Sequence, residues 1–272
     1  KAAQVGLSMG DGTSVAKEAS DITILDNSFS SIGKAVMWGR SLYLNIQRFI
    51  LFQMTINVAA CIIVLIGAFL GVESPLTVTQ MLWVNLIMDT FAALALASLP
   101  PSNRVMNDKP RARGANIITK PMTKGIFGVG GFFVVLLFGF IQYFKNEDIT
   151  SLTQFSITDY FSHFFHFGTP KNGLSAYELS LFFSIFVFLQ FWNMFNAKAY
   201  RTGKSTFYNI GKSQGFILIA TVIVIGQVFI TTFGGQMFNV TPLKLTDWTI
   251  IIGATSLVLW TGEILRAIKT EK

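Results

Sequence analysis

Six long apolar stretches decide what this chain can fold into. They fall at about 49–70, 76–99, 125–144, 177–195, 215–233 and 248–268. A helix rises about 1.5 Å per residue, so each run is long enough to cross a hydrocarbon core of about 30 Å. In lipid every backbone N–H and C=O must be satisfied internally, which makes helices the form such runs take. Only 13% of the residues are charged and 51% are hydrophobic, whereas soluble domains carry about a quarter charged residues. The expected product is an integral membrane protein, mainly α, built on a six-helix transmembrane bundle. The 27 Phe residues suit a lipid-facing surface. The single cysteine, Cys61, lies in an apolar span and has no intrachain partner.

The net charge of +7 reports topology once the charges are placed. The connection after the second span carries Arg104, Lys109, Arg111, Arg113, Lys120 and Lys124 against Asp108, and the one after the fourth carries Lys198, Arg201, Lys204 and Lys212 with no acid. The tail adds Arg266, Lys269 and Lys272. The other three connections hold Lys145, Lys171 and Lys244 against Glu73, Glu147, Asp148, Asp159, Glu178 and Asp247. By the positive-inside rule, both termini belong in the cytoplasm. The basic balance therefore points to membrane topology and anionic lipid, and is poor support for a nucleic-acid partner.

Residues 1–28 are soluble in character. Val5–Met9 reads as a short buried strand, Gly10-Asp11-Gly12-Thr13 as a turn, Ser14–Ser20 as a short helix and Asp21–Leu25 as a second strand, the edge of an α/β domain. Lys1 opens inside this pattern, which leads to the expectation of a C-terminal piece of a longer protein. From Ser30, with Ser30 or Ser31 as the cap, no proline interrupts the chain until Pro75. One helix of about 60 Å would result, its first part (30–48) a stalk and its remainder the first span. The competing reading is a short amphipathic helix, a loop and a separate span. Gly71 and Pro75 separate the first two spans, and Pro100-Pro101 ends the second. Gly125, Gly128, Gly130, Gly131 and Gly139 would let the third span pack closely.

Asp89 lies near the middle of the second span, deeper in an apolar segment than any other carboxylate in the sequence. A carboxylate in hydrocarbon costs several kcal/mol on insertion scales and is found facing a partner, an ion or water. Asn85, four residues earlier, shares its helical face. An ion pathway is favoured over an interhelical hydrogen bond that merely holds a bundle together. Gln190, Asn193 and Asn196 form a polar stripe in the fourth span, with packing favoured over an ion route. His163 and His166 are three apart, and an interfacial aromatic segment is favoured there over a metal site. Glu263 is placed to pair with Arg266 and Lys269, and Asn239-Val240-Thr241 is a glycosylation sequon.

Val5-Gly6-Leu7-Ser8-Met9-Gly10-Asp11-Gly12-Thr13-Ser14-Val15-Ala16-Lys17, the run Met81–Thr90, and Gln190–Asn196 followed by Ala197-Lys198 resemble the C-terminal part of a P-type calcium-transporting ATPase, of the plasma-membrane calcium pump type. The resemblance covers nearly the whole chain and is strongest from Val5 to Pro101. It implies that residues 1–29 end the cytoplasmic phosphorylation domain, 30–48 form a stalk helix, and 49–272 carry helices five to ten of a ten-helix pump. It also implies that Asn85 and Asp89 bind one Ca2+ in mid-membrane. Asn57 stands where the reticulum-type, two-site pump has an Asn ligand, whereas Ala60, Met88 and Gln190 replace its Glu, Thr and Glu, so a second site lacks most of its oxygens. Neither Asp-Lys-Thr-Gly-Thr nor Thr-Gly-Asp-Gly occurs, so these residues alone would not hydrolyse ATP. Mg2+ and ATP would act through cytoplasmic domains outside this sequence. The implied partners are calcium, the plasma-membrane bilayer and the N-terminal part of the same pump. The alternatives are a six-span ion channel, a secondary cation transporter, or a P-type pump for Mn2+.

Overall fold

A computed structural model describes residues 4–70, 75–112, 114–167 and 173–270, without the side chains of 87, 269 and 270. Gly71, Glu73, Arg113, Lys171 and Lys272, and the side chain of Lys269, lie outside the described residues. The chain forms two compact units, Lys1–Asn45 with Pro100–Ala115, and Ile46–Leu99 with Asn116–Lys272.

In the first unit, β1 (Leu7–Met9) pairs in parallel with β2 (Ile22–Ile24), Leu7 opposite Ile22, through α1 (Ser14–Glu18). Thr13 caps α1 by accepting from the Ala16 N–H at 3.3 Å. The Ser8 hydroxyl, buried between the strands, meets Ser20 Oγ at 2.8 Å and Thr23 Oγ1 at 3.1 Å. A Cβ on Gly10 would press on the Ile24 and Leu25 carbonyls at 3.0 Å, so the turn requires glycine. The expected strand, helix and strand are present, but β1 is not the buried strand expected, since Val5 and Leu7 are exposed. The helix that follows, α2, runs Phe29–Phe69 as one element of 41 residues, which removes the reading with a separate amphipathic helix. Its start differs from the expectation. Ser30 and Ser31 are inside the helix, and Ser31 Oγ donates back to Asp26 Oδ2 at 2.6 Å. That bond, with one from the Ser28 N–H, holds the exposed Asp26 carboxyl below its ordinary range. The basic loop is stitched to the first half of α2. Arg40 donates to the Val105 and Asp108 carbonyls at 3.1 and 2.8 Å, Ser102 N–H donates to Ser41 Oγ, and the Arg111 guanidinium lies 4.1 Å from the Tyr43 ring centre.

The second unit holds the remaining spans. Besides α2 these are Val78–Ala97, α5 (Lys120–Asn146), α7 (Ala176–Lys198), α8 (Gln214–Phe233) and Leu245–Ile268. All six expected spans are present. The α5 and α7 helices extend beyond their apolar runs into polar flanks. Ser175 and Glu178 close a reciprocal capping box at the start of α7. At its end Lys198 turns inward to donate to the Thr206 and Tyr208 carbonyls at 2.7 and 3.1 Å. With apolar residues spread around its circumference and a polar stripe among them, α7 is buried along most of its length and packs against α5, α8, α10 (Leu245–Thr255) and α11 (Leu257–Thr270). The last span is two helices broken at Ser256, whose Oγ donates to the Gly253 carbonyl at 2.6 Å.

The glycines of α5 divide by face. Gly125 and Gly130 abut α2, where a Cβ would stand 3.5 Å from Leu51 and 3.4 Å from the Thr55 carbonyl. A Cβ on Gly139 would collide with the Tyr160 hydroxyl. Gly128 and Gly131 face open space, contrary to the expectation that all five serve packing. Tyr160 lies on α6 (Ile157–His163) and donates to the Leu136 carbonyl at 2.8 Å. Burial pushes its hydroxyl up to about 12. His163 Nε2 lies 3.0 Å from Glu147 Oε1, and its ring centre is 6.1 Å from that of His166 in an aromatic cluster.

Candidate functional site

The site lies on Val78–Ala97. Thr77 opens it with a capping box: its Oγ1 accepts from the Gln80 N–H at 3.3 Å, and Gln80 Oε1 accepts from the Thr77 N–H at 3.0 Å. The first turns, α3 (Val78–Leu82), give way to a π-helical segment at Trp83–Met88, and α-helix resumes as α4 (Asp89–Ala97). The Asp89 N–H accordingly reaches back five residues, to the Val84 carbonyl. Widened turns of this kind concentrate at functional sites. The segment is held on both sides. Trp83 Nε1 donates to Gln227 Oε1 at 3.0 Å, and Gln227 Nε2 reaches Thr231 Oγ1 and Ser184 Oγ at 3.2 and 3.5 Å, all within the buried interior. Gly226 lets the indole lie on α8, since a Cβ there would stand 2.7 Å from the Trp83 ring. Two residues past the π segment, Thr90 Oγ1 donates to the Leu86 carbonyl.

The two residues singled out from the sequence have different surroundings. Asp89 is 3% exposed, whereas Asn85 in the π segment is exposed. The shared α-helical face inferred from their spacing gives way to this wider turn. Asp89 Oδ2 accepts from Gln53 Nε2 of α2 at 2.8 Å, and Asp89 Oδ1 is buried with no protein partner. Asn57, one turn beyond Gln53 on α2, is half-buried. Gln53 was missed from the sequence, although two amides four apart in an apolar span were there to be read.

Of the remaining positions, Ala60 and Met88 are fully buried and bring no oxygen ligand in their side chains. Gln190 is fully buried, and neither of its amide atoms has a partner. The rest of that stripe packs, with Asn196 donating to the Val258 carbonyl at 2.9 Å and accepting from Arg266 at 3.0 Å. Arg266 also meets Glu263 Oε1 at 2.6 Å, as their spacing suggested. Among the described residues no group of three or more His, Cys, Asp and Glu side chains is gathered to hold a metal.

The chemistry offered here is one buried carboxylate, with one oxygen held by an amide N–H and the other without a protein partner. Carboxylate, amide carbonyl and backbone carbonyl are the donors that hard cations take, and calcium takes six to eight of them. The Asp89 carboxylate is a donor of that class.

The profile of the family described as "Cation transporting ATPase, C-terminus" matches residues 73–268. Plasma membrane calcium-transporting ATPase 4 of Homo sapiens is 39% identical over 276 residues, covering 99% of this chain and 21% of that protein. Plasma membrane calcium-transporting ATPase 2 of Oreochromis mossambicus is 38% identical over 275 residues, covering 100% and 23%. Plasma membrane calcium-transporting ATPase 1 of Gallus gallus is 36% identical over 275 residues, covering 100% and 22%. The chain thus spans less than a quarter of the length of these relatives. On the profile match and the identity along its whole length, this chain belongs to the C-terminal family of the cation-transporting ATPases.

Proposed function

We propose that this chain is the membrane portion of an ATP-driven calcium export pump of the plasma membrane, binding one Ca2+ in mid-membrane through Asp89 and Asn85. The observation that carries the reading is Asp89 itself: a buried mid-span carboxylate with one oxygen held and the other without a partner. Such a group is expensive in lipid unless an ion or a proton answers it. The relatives' names supply calcium as the ion. Asn57 is the weaker member of the site. With Ala60, Met88 and Gln190 at the positions where the two-site pump has Glu, Thr and Glu, a second ion has too few oxygens. The remaining ligands, the phosphorylated carboxylate, and the Mg2+ and ATP it needs belong to parts of the pump outside this sequence.

In the same reading, residues 1–29 end the phosphorylation domain and 30–48 are the stalk. Helix α2 couples phosphorylation to the site, because it enters the membrane from that domain and carries Gln53 and Asn57. The excess of Lys and Arg on alternate connections supports a cytoplasmic location for both ends.

The test is transport by the full-length pump in inside-out membrane vesicles. ATP-driven accumulation of calcium, at a higher rate than manganese at equal free concentration, is the expected result. Preference for manganese would overturn the ion assignment, since the two metals share oxygen ligands. Accumulation that needs no ATP would restore a channel or secondary transporter.

A further inference from the structure

Gln53 lies in the apolar part of α2, and its hydrogen bond to Asp89 links two helices across 36 positions of sequence. The geometry is asymmetric. One carboxylate oxygen of Asp89 accepts from the Gln53 amide at 2.8 Å, and the other is buried and accepts from nothing in the protein. An amide N–H donates and cannot ligate a cation, whereas a carboxylate oxygen has lone pairs to spare. The bond therefore fixes the plane of the carboxylate through Oδ2 and leaves Oδ1 for an ion. The donor is also neutral, so it orients Asp89 without neutralising it, as a lysine or arginine would.

We infer that Gln53 is a positioning residue for a divalent cation at Asp89, holding Oδ2 by its N–H so that Oδ1 is presented to the ion, and that it does not touch the ion itself. The inference rests on the reading of Asp89 as an ion ligand. Ligating carboxylates are commonly held this way, and losing such a partner costs about 10–100-fold in metal affinity.

Two substitutions of near-equal length separate the possible roles in the full-length pump. Gln53→Met removes the donor, and Gln53→Glu replaces the donor with an acceptor. Positioning by the N–H predicts that both raise the calcium concentration for half-maximal phosphorylation by about 10–100-fold. The maximal phosphoenzyme level, which reports the folded fraction, should stay near wild type. A purely structural contact would instead lower that maximum and leave the half-saturation point in place, and this overturns the inference. So does a Glu variant that equals or exceeds wild type while Met weakens binding, because Gln53 would then be a ligand through Oε1. Asp89→Asn is measured alongside. If it keeps its calcium dependence, the site itself is wrong. If it loses that dependence while Gln53→Met behaves as wild type, only the positioning role falls.

Discussion

Asp89→Asn in the full-length pump should abolish calcium-dependent phosphorylation while the protein still inserts in the membrane. The substitution is close to isosteric, and the new amide oxygen can still accept from Gln53 Nε2, so the contact between α2 and α4 survives. What is lost is the charge. A hard divalent cation in a low-dielectric site depends on an anionic ligand. Partners one shell removed from a metal already cost 10–100-fold, so loss of a direct ligand should exceed about 100-fold, or roughly 3 kcal/mol. Phosphorylation titrated against free calcium reads this directly. An unchanged calcium dependence would reduce Asp89 to a packing residue.

The second large effect is structural and lies away from the ion site. Asp247, at the start of α10, is fully buried. Its Oδ1 accepts from Ser151 Oγ and from the Leu152 N–H, both at 2.8 Å, and its Oδ2 accepts from the Tyr177 hydroxyl. One carboxylate thus ties the last span to the start of α7 and to the connection before it. Asp247→Ala would strand three donors, each at a cost of about 1–3 kcal/mol when buried. The expected loss is about 3 kcal/mol or more, seen as a fall of several degrees in the thermal midpoint of the purified protein in detergent. Asp247→Asn keeps an acceptor for the Ser151 and Leu152 donors and should recover most of that loss. A midpoint for the Ala variant equal to wild type would show that water replaces the carboxylate.

The sequence displayed the spans because their physics is local. A run of about 20 apolar residues admits few structures in lipid, and the proline-free path from Ser30 to Ser74 left α2 little choice but to continue. The two short strands were legible for a similar reason, as brief apolar runs set off by the turn at Gly10-Asp11-Gly12-Thr13 and the short helix after it. Features set by neighbours were hidden. Nothing in Trp83–Met88 announces a π segment, because no glycine or proline marks it. Its turn is held by Trp83 on Gln227, 144 positions away. The break at Ser256 is equally unmarked. Glycine spacing in α5 did not reveal which glycines meet a neighbour, since only Gly125, Gly130 and Gly139 do. Asp89 stood out by its depth in an apolar run, but Glu178 and Asp247 are buried just as fully at span ends. Only the fold shows that backbone N–H groups and hydroxyls satisfy those two while Asp89 keeps a free oxygen. Among the described residues, Asp89 is the buried carboxylate with an oxygen that no protein group meets.

Equilibrium binding of calcium to the purified full-length pump tests the proposed site for one Ca2+ at Asp89 most directly. The expected result is one tightly bound Ca2+ per wild-type molecule, and none for Asp89→Asn at the same free calcium. Two ions per molecule, or one retained by Asp89→Asn, would contradict it.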